Sequence, residues 1–262
     1  MADLEYSVDD GVGTIRLNRP ERKNAFTMGM IQEWGDIVRD VRHDPEVRVL
    51  VVTGAGDAFC SGVDLDSFGD PGAAATPLER RQMLTEKIHR VALGLEDLDK
   101  PVIASVNGAA VGAGMDMALM TDIRIAARSA RFAESYIRVG LVPGDGGCYF
   151  LPRLVGLAKA LELLLTGDFV DAEEAQRIGI VNRVVDDEDL GAATDALARK
   201  LAESPPVAVR MIKRATYQSA RSDLRTSLDL IASHFGVVTS TDDSAEAMAA
   251  FRAKRPGEFT GR

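Results

Sequence analysis

The chain has 262 residues, 46% of them hydrophobic, enough to bury an ordinary core without help from disulfides or metal. Its 40 acidic residues outnumber 31 basic ones for a net charge of -9, which excludes nucleic-acid binding over a broad surface but leaves room for a local basic pocket. Charges interrupt every long apolar run, so no segment reaches the roughly 18 to 20 residues that a membrane-spanning helix needs; with only two cysteines and no leader-like start, a reduced cytoplasmic setting is expected.

Leu4 to Val8 and Gly13 to Leu17, around Asp9-Asp10-Gly11, predict a hairpin. Asn18 to Ala25 is a polar, basic loop. Thr27 is placed to N-cap a helix running to His43, with Met30, Ile31, Trp34, Ile37, Val38 and Val41 on one side. Arg48 to Thr53 reads as a buried strand feeding a glycine-rich loop, Gly54 to Asp64. Asp66 to Thr76, rich in Gly, Ala and Pro, is expected to be mobile and to act as a lid or a plain surface excursion. A helical period resumes over Pro77 to Leu98.

Pro101 to Val106 is a second buried strand, closed by an Asn107-Gly108 turn, and a helix should start near Gly112. Gly112, Ala113 and Gly114 leave first-turn N–H groups open to a ligand oxygen at the positive end of a helix dipole. One reading is the phosphate turn of a short-chain dehydrogenase, with Glu134 as ribose ligand. It fails because such enzymes need Tyr-x-x-x-Lys, whereas Tyr6, Tyr136, Tyr149 and Tyr217 are followed four residues on by Asp10, Gly140, Arg153 and Arg221. The other reading is half of an oxyanion hole, its second N–H coming from the 54–64 loop.

Ile123 to Ala127 and Arg131 to Glu134 read as strands. In the glycine-rich stretch Tyr136 to Cys148, Asp145 either N-caps the next helix or faces a ligand. Gly156 to Thr166 and Ala172 to Ile178 are helical, Val181 to Val185 is a last strand, and from about Glu188 only helices follow. The class is α/β: a core over 1–200 and a helical C-terminal region over 201–262 that serves packing between subunits. His43, His89 and His234 lie far apart and fit helix surfaces, so neither a metal site nor a Ser-His-Asp triad is expected.

In order and combination, Asn24-Ala25, Phe59-Cys-Ser-Gly-Val-Asp-Leu65, Lys100-Pro-Val-Ile-Ala-Ser-Val-Asn-Gly108, Gly112-Ala-Gly114, Thr121-Asp-Ile123, Gly140-Leu-Val-Pro-Gly144 and Ala250-Phe251 with Lys254-Arg255 closely resemble the enoyl-CoA hydratase/isomerase family, the crotonases. The resemblance implies a spiral of repeated β-β-α units and assembly as a homotrimer or a hexamer built from two trimers. It implies that the backbone N–H groups of Ser61 and Ala113 form an oxyanion hole for an acyl-CoA thioester. Arg22, Lys23, Ala25 and Asp64, with Phe251 and Lys254 reaching into a neighbouring subunit, are implied to hold the CoA, which enters as part of the substrate; no separate cofactor is expected.

Hydratases of this family use two glutamates. Asp116 stands at the first position, one turn into the central helix, where its side chain leans back toward the hole. Tyr136 stands at the second, and a phenol with pKa of ~10 donates a proton but is a poor general base at neutral pH. Asp145 is the candidate for the missing carboxylate. The expected activity is hydration or double-bond isomerisation of an enoyl-CoA. Alternatives are another crotonase-type reaction (hydrolysis, dehalogenation or decarboxylation of an acyl-CoA) or a CoA-ester-binding paralogue without turnover.

Overall fold

The computed structural model describes residues 2–66 and 76–262. β1 (Leu4–Asp9) and β2 (Val12–Leu17) pair antiparallel across Asp10 and Gly11, both at positive φ. α1 (Met28–His43) starts where the Thr27 hydroxyl accepts from the Met30 N–H, and it buries Met30, Ile31, Trp34 and Val38. β3 (Val49–Gly54) leads into the short β4 (Ala58–Cys60). α2 (Pro77–Gln82), held by a Thr76–Glu79 capping box, continues through a π-helical segment, Met83–Ile88, into α3 (His89–Asp97). Next come β5 (Val102–Val106), β6 (Ala109–Val111), α4 (Ala113–Leu119), β7 (Ile123–Ala127) and β8 (Arg131–Ala133). α5 (Gly147–Val155), α6 (Leu157–Thr166), β9 (Val170–Asp171), α7 (Ala172–Arg177) and β10 (Arg183–Val185) precede four closing helices: α8 (Leu190–Ala202), α9 (Pro206–Ser219), α10 (Leu224–Thr239) and α11 (Asp242–Ala253).

The strands divide between two sheets. One has the order β1-β2-β3-β5-β7-β10, parallel except for the first hairpin; the other is β4-β6-β8-β9, parallel except for β9. The pairs β3–β4, β5–β6 and β7–β8 each put their first strand in the larger sheet and their second in the smaller. Three turns of the chain therefore repeat one move, and the result is the expected spiral.

Both faces of the larger sheet are covered at its centre, which is why β3 and β5 are buried along nearly their whole length and carry few polar residues. Leu50, Val52, Ala104 and Ala126 join Trp34, Phe59 and Phe132 in the main core. Val49, Val51, Ile103 and Ile125 face the other way, against Leu190, Ala198 and Ala202 of α8. The sequence reading treated 54–64 and the passage after Asn107 as loop; they contain β4 and β6, strands of three residues each, too short to show alternation. Of the 66–76 stretch expected to be mobile, as a lid or a plain surface excursion, residues 67–75 lie outside the described residues, while Thr76 caps α2.

Candidate active site

Gly112 sets the entry to α4 at φ 54°, ψ -124°, a backbone setting that glycine tolerates and side chains resist. A Cβ there would lie 3.3 Å from Ser135 Oγ and 3.9 Å from the Tyr136 ring. Two residues on, Gly114 packs so closely on the Cys60 carbonyl that any side chain would overlap it. The helix start is thereby seated on the end of β4. Ala113, as first residue of α4, has an N–H with no acceptor inside the helix, and a Cβ on the facing Gly62 would stand 3.5 Å from that nitrogen.

Ser61 is held differently. Its N–H donates to the Lys23 carbonyl at 2.9 Å and its hydroxyl to the Arg22 carbonyl at 3.3 Å. The basic loop that supplies these acceptors is pinned by Asn24, fully buried, whose side chain accepts from the Arg19 N–H and donates to the Ala55 and Ala58 carbonyls. Those bonds maintain positive φ at both Lys23 and Asn24. Asp64 is buried, with one carboxyl oxygen 2.8 Å from Arg19 and the other 3.2 Å from Arg22, and the Arg19 pairing holds its carboxyl below the usual range. Arg22 also meets Asp66, Lys23 meets Asp57 at 2.6 Å, and Ala25 is buried beneath the loop. The CoA-binding candidates of this loop thus form one ion-paired unit with the 57–66 segment.

The acid/base candidates converge. The Tyr136 hydroxyl lies 2.6 Å from Asp116 Oδ2 and 2.9 Å from Asp145 Oδ2. A phenol has one proton, so it donates to one carboxylate, and the other contact is a hydrogen bond only if that carboxyl carries a proton. One negative charge and one proton therefore divide between Asp116 and Asp145 across the Tyr136 hydroxyl. The arrangement thus stores a base and an acid on either side of a single hydroxyl.

Burial sets the proton affinities. Asp116 is fully buried and pushed up to about 7, chiefly by desolvation, while the Tyr136 hydrogen bond pulls it down. Asp145, also buried, is raised by desolvation against the Tyr136 hydrogen bond and the nearby His89. Tyr136 is driven far above its ordinary value by burial and the two aspartates, so it stays protonated. Two bland readings fail: Asp145 does not cap α5, whose N-cap is Gly146 without a side-chain bond, and His89 is half-buried, its Nε2 contacting the Gly144 carbonyl at 2.8 Å beside Asp145. Since a carbonyl only accepts, that nitrogen carries the hydrogen.

The sequence reading passed over Glu134 at this site. It is 1% exposed, raised to about 10 by burial first and Asp116 second, and neither of its carboxyl oxygens finds an N–H or O–H donor among the described residues. A side chain at Gly147 would overlap both Asp116 Oδ1 and Glu134 Oε1, so the start of α5 presses against the two carboxyls together. The signal was its position directly after Phe132-Ala133, an apolar strand end where an acid has to be buried. Despite this concentration of acids, no group of three or more His, Cys, Asp and Glu among the described residues is arranged to hold a metal ion.

Phe251 and Lys254 stand apart, on α11 and at its C-cap, where Phe251 is 84% exposed and Lys254 adopts a left-handed backbone.

Comparison with known proteins agrees with this architecture over its full length. The enoyl-CoA hydratase/isomerase family model matches residues 7–262. The 1,2-epoxyphenylacetyl-CoA isomerase of Escherichia coli is 41% identical over 97% of both chains, and the crotonyl-CoA hydratase of Syntrophomonas wolfei is 36% identical over 97% of this chain and 96% of its own. The crystal structure of an enoyl-CoA hydratase from Bacillus anthracis superposes with a TM-score of 0.93 at 33% identity, covering 100% of each chain. With the fold and the whole length in agreement, the chain belongs to the enoyl-CoA hydratase/isomerase family.

Proposed function

We propose that this enzyme relocates a double bond in an enoyl-CoA thioester. The family supports an acyl-CoA enzyme acting by hydration or isomerisation, and the observation that favours isomerisation is the Tyr136 hydroxyl bonded to both aspartates. A hydratase must hold a free water between its two acid/base groups. Here that position is filled by an oxygen tethered to the protein, which relays protons but cannot add to a double bond.

In this mechanism the Asp116 carboxylate takes a proton from the carbon next to the thioester, breaking one C–H bond. The electron pair moves onto the thioester oxygen as an extended enolate, held by the Ala113 N–H and by the Ser61 N–H once it exchanges the Lys23 carbonyl for the ligand. Tyr136 then gives its proton to the carbon two bonds further along, forming the new C–H bond, and recovers a proton from Asp145. The cluster ends with the same number of protons, Asp116 and Asp145 having traded roles. CoA is held by the Arg22–Ala25 loop, with Asp64 fixing that loop, and by Phe251 and Lys254 of a neighbouring subunit in a homotrimer or hexamer; the exposed Leu224, Phe235 and Met248 support an apolar face for that assembly. A cytoplasmic setting fits a protein with no helix, among the described residues, long and apolar enough to cross a membrane.

The test uses the conjugated-thioester absorbance, which the two reactions move in opposite directions. A 3-enoyl-CoA should gain it and crotonyl-CoA should barely lose it. Rapid loss with crotonyl-CoA and no gain with the 3-enoyl-CoA would overturn the reading in favour of hydration.

A further inference from the structure

Asp116 has two carboxyl oxygens: Oδ2 is engaged by Tyr136, and Oδ1 is buried with no N–H or O–H donor in hydrogen-bond geometry among the described residues. What borders it is Glu134, against the same backbone wall at Gly147. No arginine or lysine is paired with either acid among the described residues, so both carboxyls cannot be charged at this separation without a large electrostatic cost. From this geometry we infer that Glu134 is a positioning residue of the active site: a neutral carboxylic acid that donates its proton to Asp116 Oδ1, fixes the rotation of the Asp116 carboxylate, and so keeps Oδ2 on the Tyr136 hydroxyl.

The titratable groups around this pair come from every neighbouring element. Asp116 belongs to α4, Tyr136 and Asp145 to the turns after β8, Cys148 to α5 and His89 to α3. Those on the near side are acids, a phenol, and the exposed Cys148 thiol, whose proton is held more tightly by partial desolvation and the neighbouring acids, so nothing adjacent takes the proton from Glu134 at neutral pH; its upward shift agrees. His89 acts on the far side, at Asp145. A carboxylate held by two donors, one on each oxygen, is less basic and less mobile than one held by a single donor. Glu134 thus sets both the orientation of the base and the pH at which it becomes available.

The role rests on Asp116 being the base, so the experiment reads the proton as well as the rate. Infrared difference spectra of E134Q against wild type at pH 7.5 should lose the C=O stretch of a protonated carboxyl, whatever reaction the enzyme catalyses. A spectrum that loses only a carboxylate band overturns the proposal. In isomerase assays E134A should lower kcat about 10- to 100-fold, the cost of one hydrogen bond to a charged group, and move the acidic limb of kcat/KM to higher pH. E134Q, which keeps an N–H donor, should recover most of kcat and return the limb toward the wild-type position. A limb that stays put in E134A, or a Gln variant as impaired as the Ala variant, would also overturn it. If E134A does not fold, the E134Q spectrum and profile still decide. Absence of isomerisation in wild type, with the protonated-carboxyl band present and lost in E134Q, would sink the isomerase reading and leave Glu134 as the proton donor to Asp116.

Discussion

The Ser61 N–H and the Lys23 carbonyl are bonded to each other at 2.9 Å, so one of the two expected oxyanion donors has an acceptor within the protein. The Ala113 N–H has no such partner inside its helix. The two donors therefore differ in what substrate must displace. Ala113→Pro, which removes the N–H at a helix position where proline is tolerated, should lower kcat about 10²-fold or more. Ser61→Ala keeps the backbone donor and should retain most activity. Equal damage from both, with circular dichroism unchanged, would mean that Ser61 acts through its hydroxyl.

Removing Asp116, Tyr136 or Asp145 should affect turnover far more than binding. Asp116→Asn is expected to lower kcat by ~10² to 10⁴-fold, the usual contribution of a placed acid or base, with acyl-CoA affinity nearly unchanged. Asp145→Asn should fold normally, because α5 is capped by Gly146, and should slow return of the proton. Tyr136→Glu restores the two-acid pattern and frees the oxygen position between the carboxyls, so hydration of crotonyl-CoA should rise from a low starting level. Efficient hydration by the wild type would remove the basis for this expectation.

The rate should depend on pH near neutrality rather than near the ordinary carboxylate range. Asp116 is pushed up to about 7 by burial, so kcat/KM should climb as pH rises through that region and the base loses its proton. Because Asp116 and Asp145 share Tyr136, the measured value belongs to the set. A profile flat from pH 5 to 8 would argue against Asp116 as the base.

Stability should move the other way. Glu134, at about 10 folded against 4.5 for the ordinary group, and Asp116, at about 7 against 3.8, both bind protons more tightly in the folded chain. Their contribution is fully present below the unfolded values and is lost as pH rises through the folded ones. Urea midpoints should therefore fall between pH 5 and pH 9 in wild type, and fall less in Glu134→Gln, which cannot ionise. A Gln variant that loses stability more steeply than wild type over that range would contradict the assignment of a buried neutral acid.

The proposed phosphate contact of Lys254, at the C-cap of α11, is open to a direct test. Lys254→Glu should weaken CoA binding in calorimetric titration and reduce its dependence on salt, with little change in kcat at saturation. An unaltered dissociation constant would take Lys254 out of the ligand site.

The sequence by itself determined the elements whose signals are local. Thr27 placed the start of α1, the apolar run to Val106 placed β5, and Gly112-Ala-Gly114 marked a helix entry that a ligand oxygen can approach, because capping, strand periodicity and glycine's backbone freedom act over a few residues. It also brought Asp116, Tyr136 and Asp145 forward as candidates one by one. Only the tertiary structure decided how they meet. A hydrogen bond between Asp116 and Tyr136 spans twenty residues of chain, and its strength and the proton count around it depend on burial by α5 and on the approach of Glu134; the strand end before Glu134 signals that this acid is buried, but nothing local says what it is buried against. The same holds for Ser61, whose N–H direction is set by a loop that arrives from residue 23, and for β4 and β6, which are strands because each has a partner and not because three residues prefer to be one.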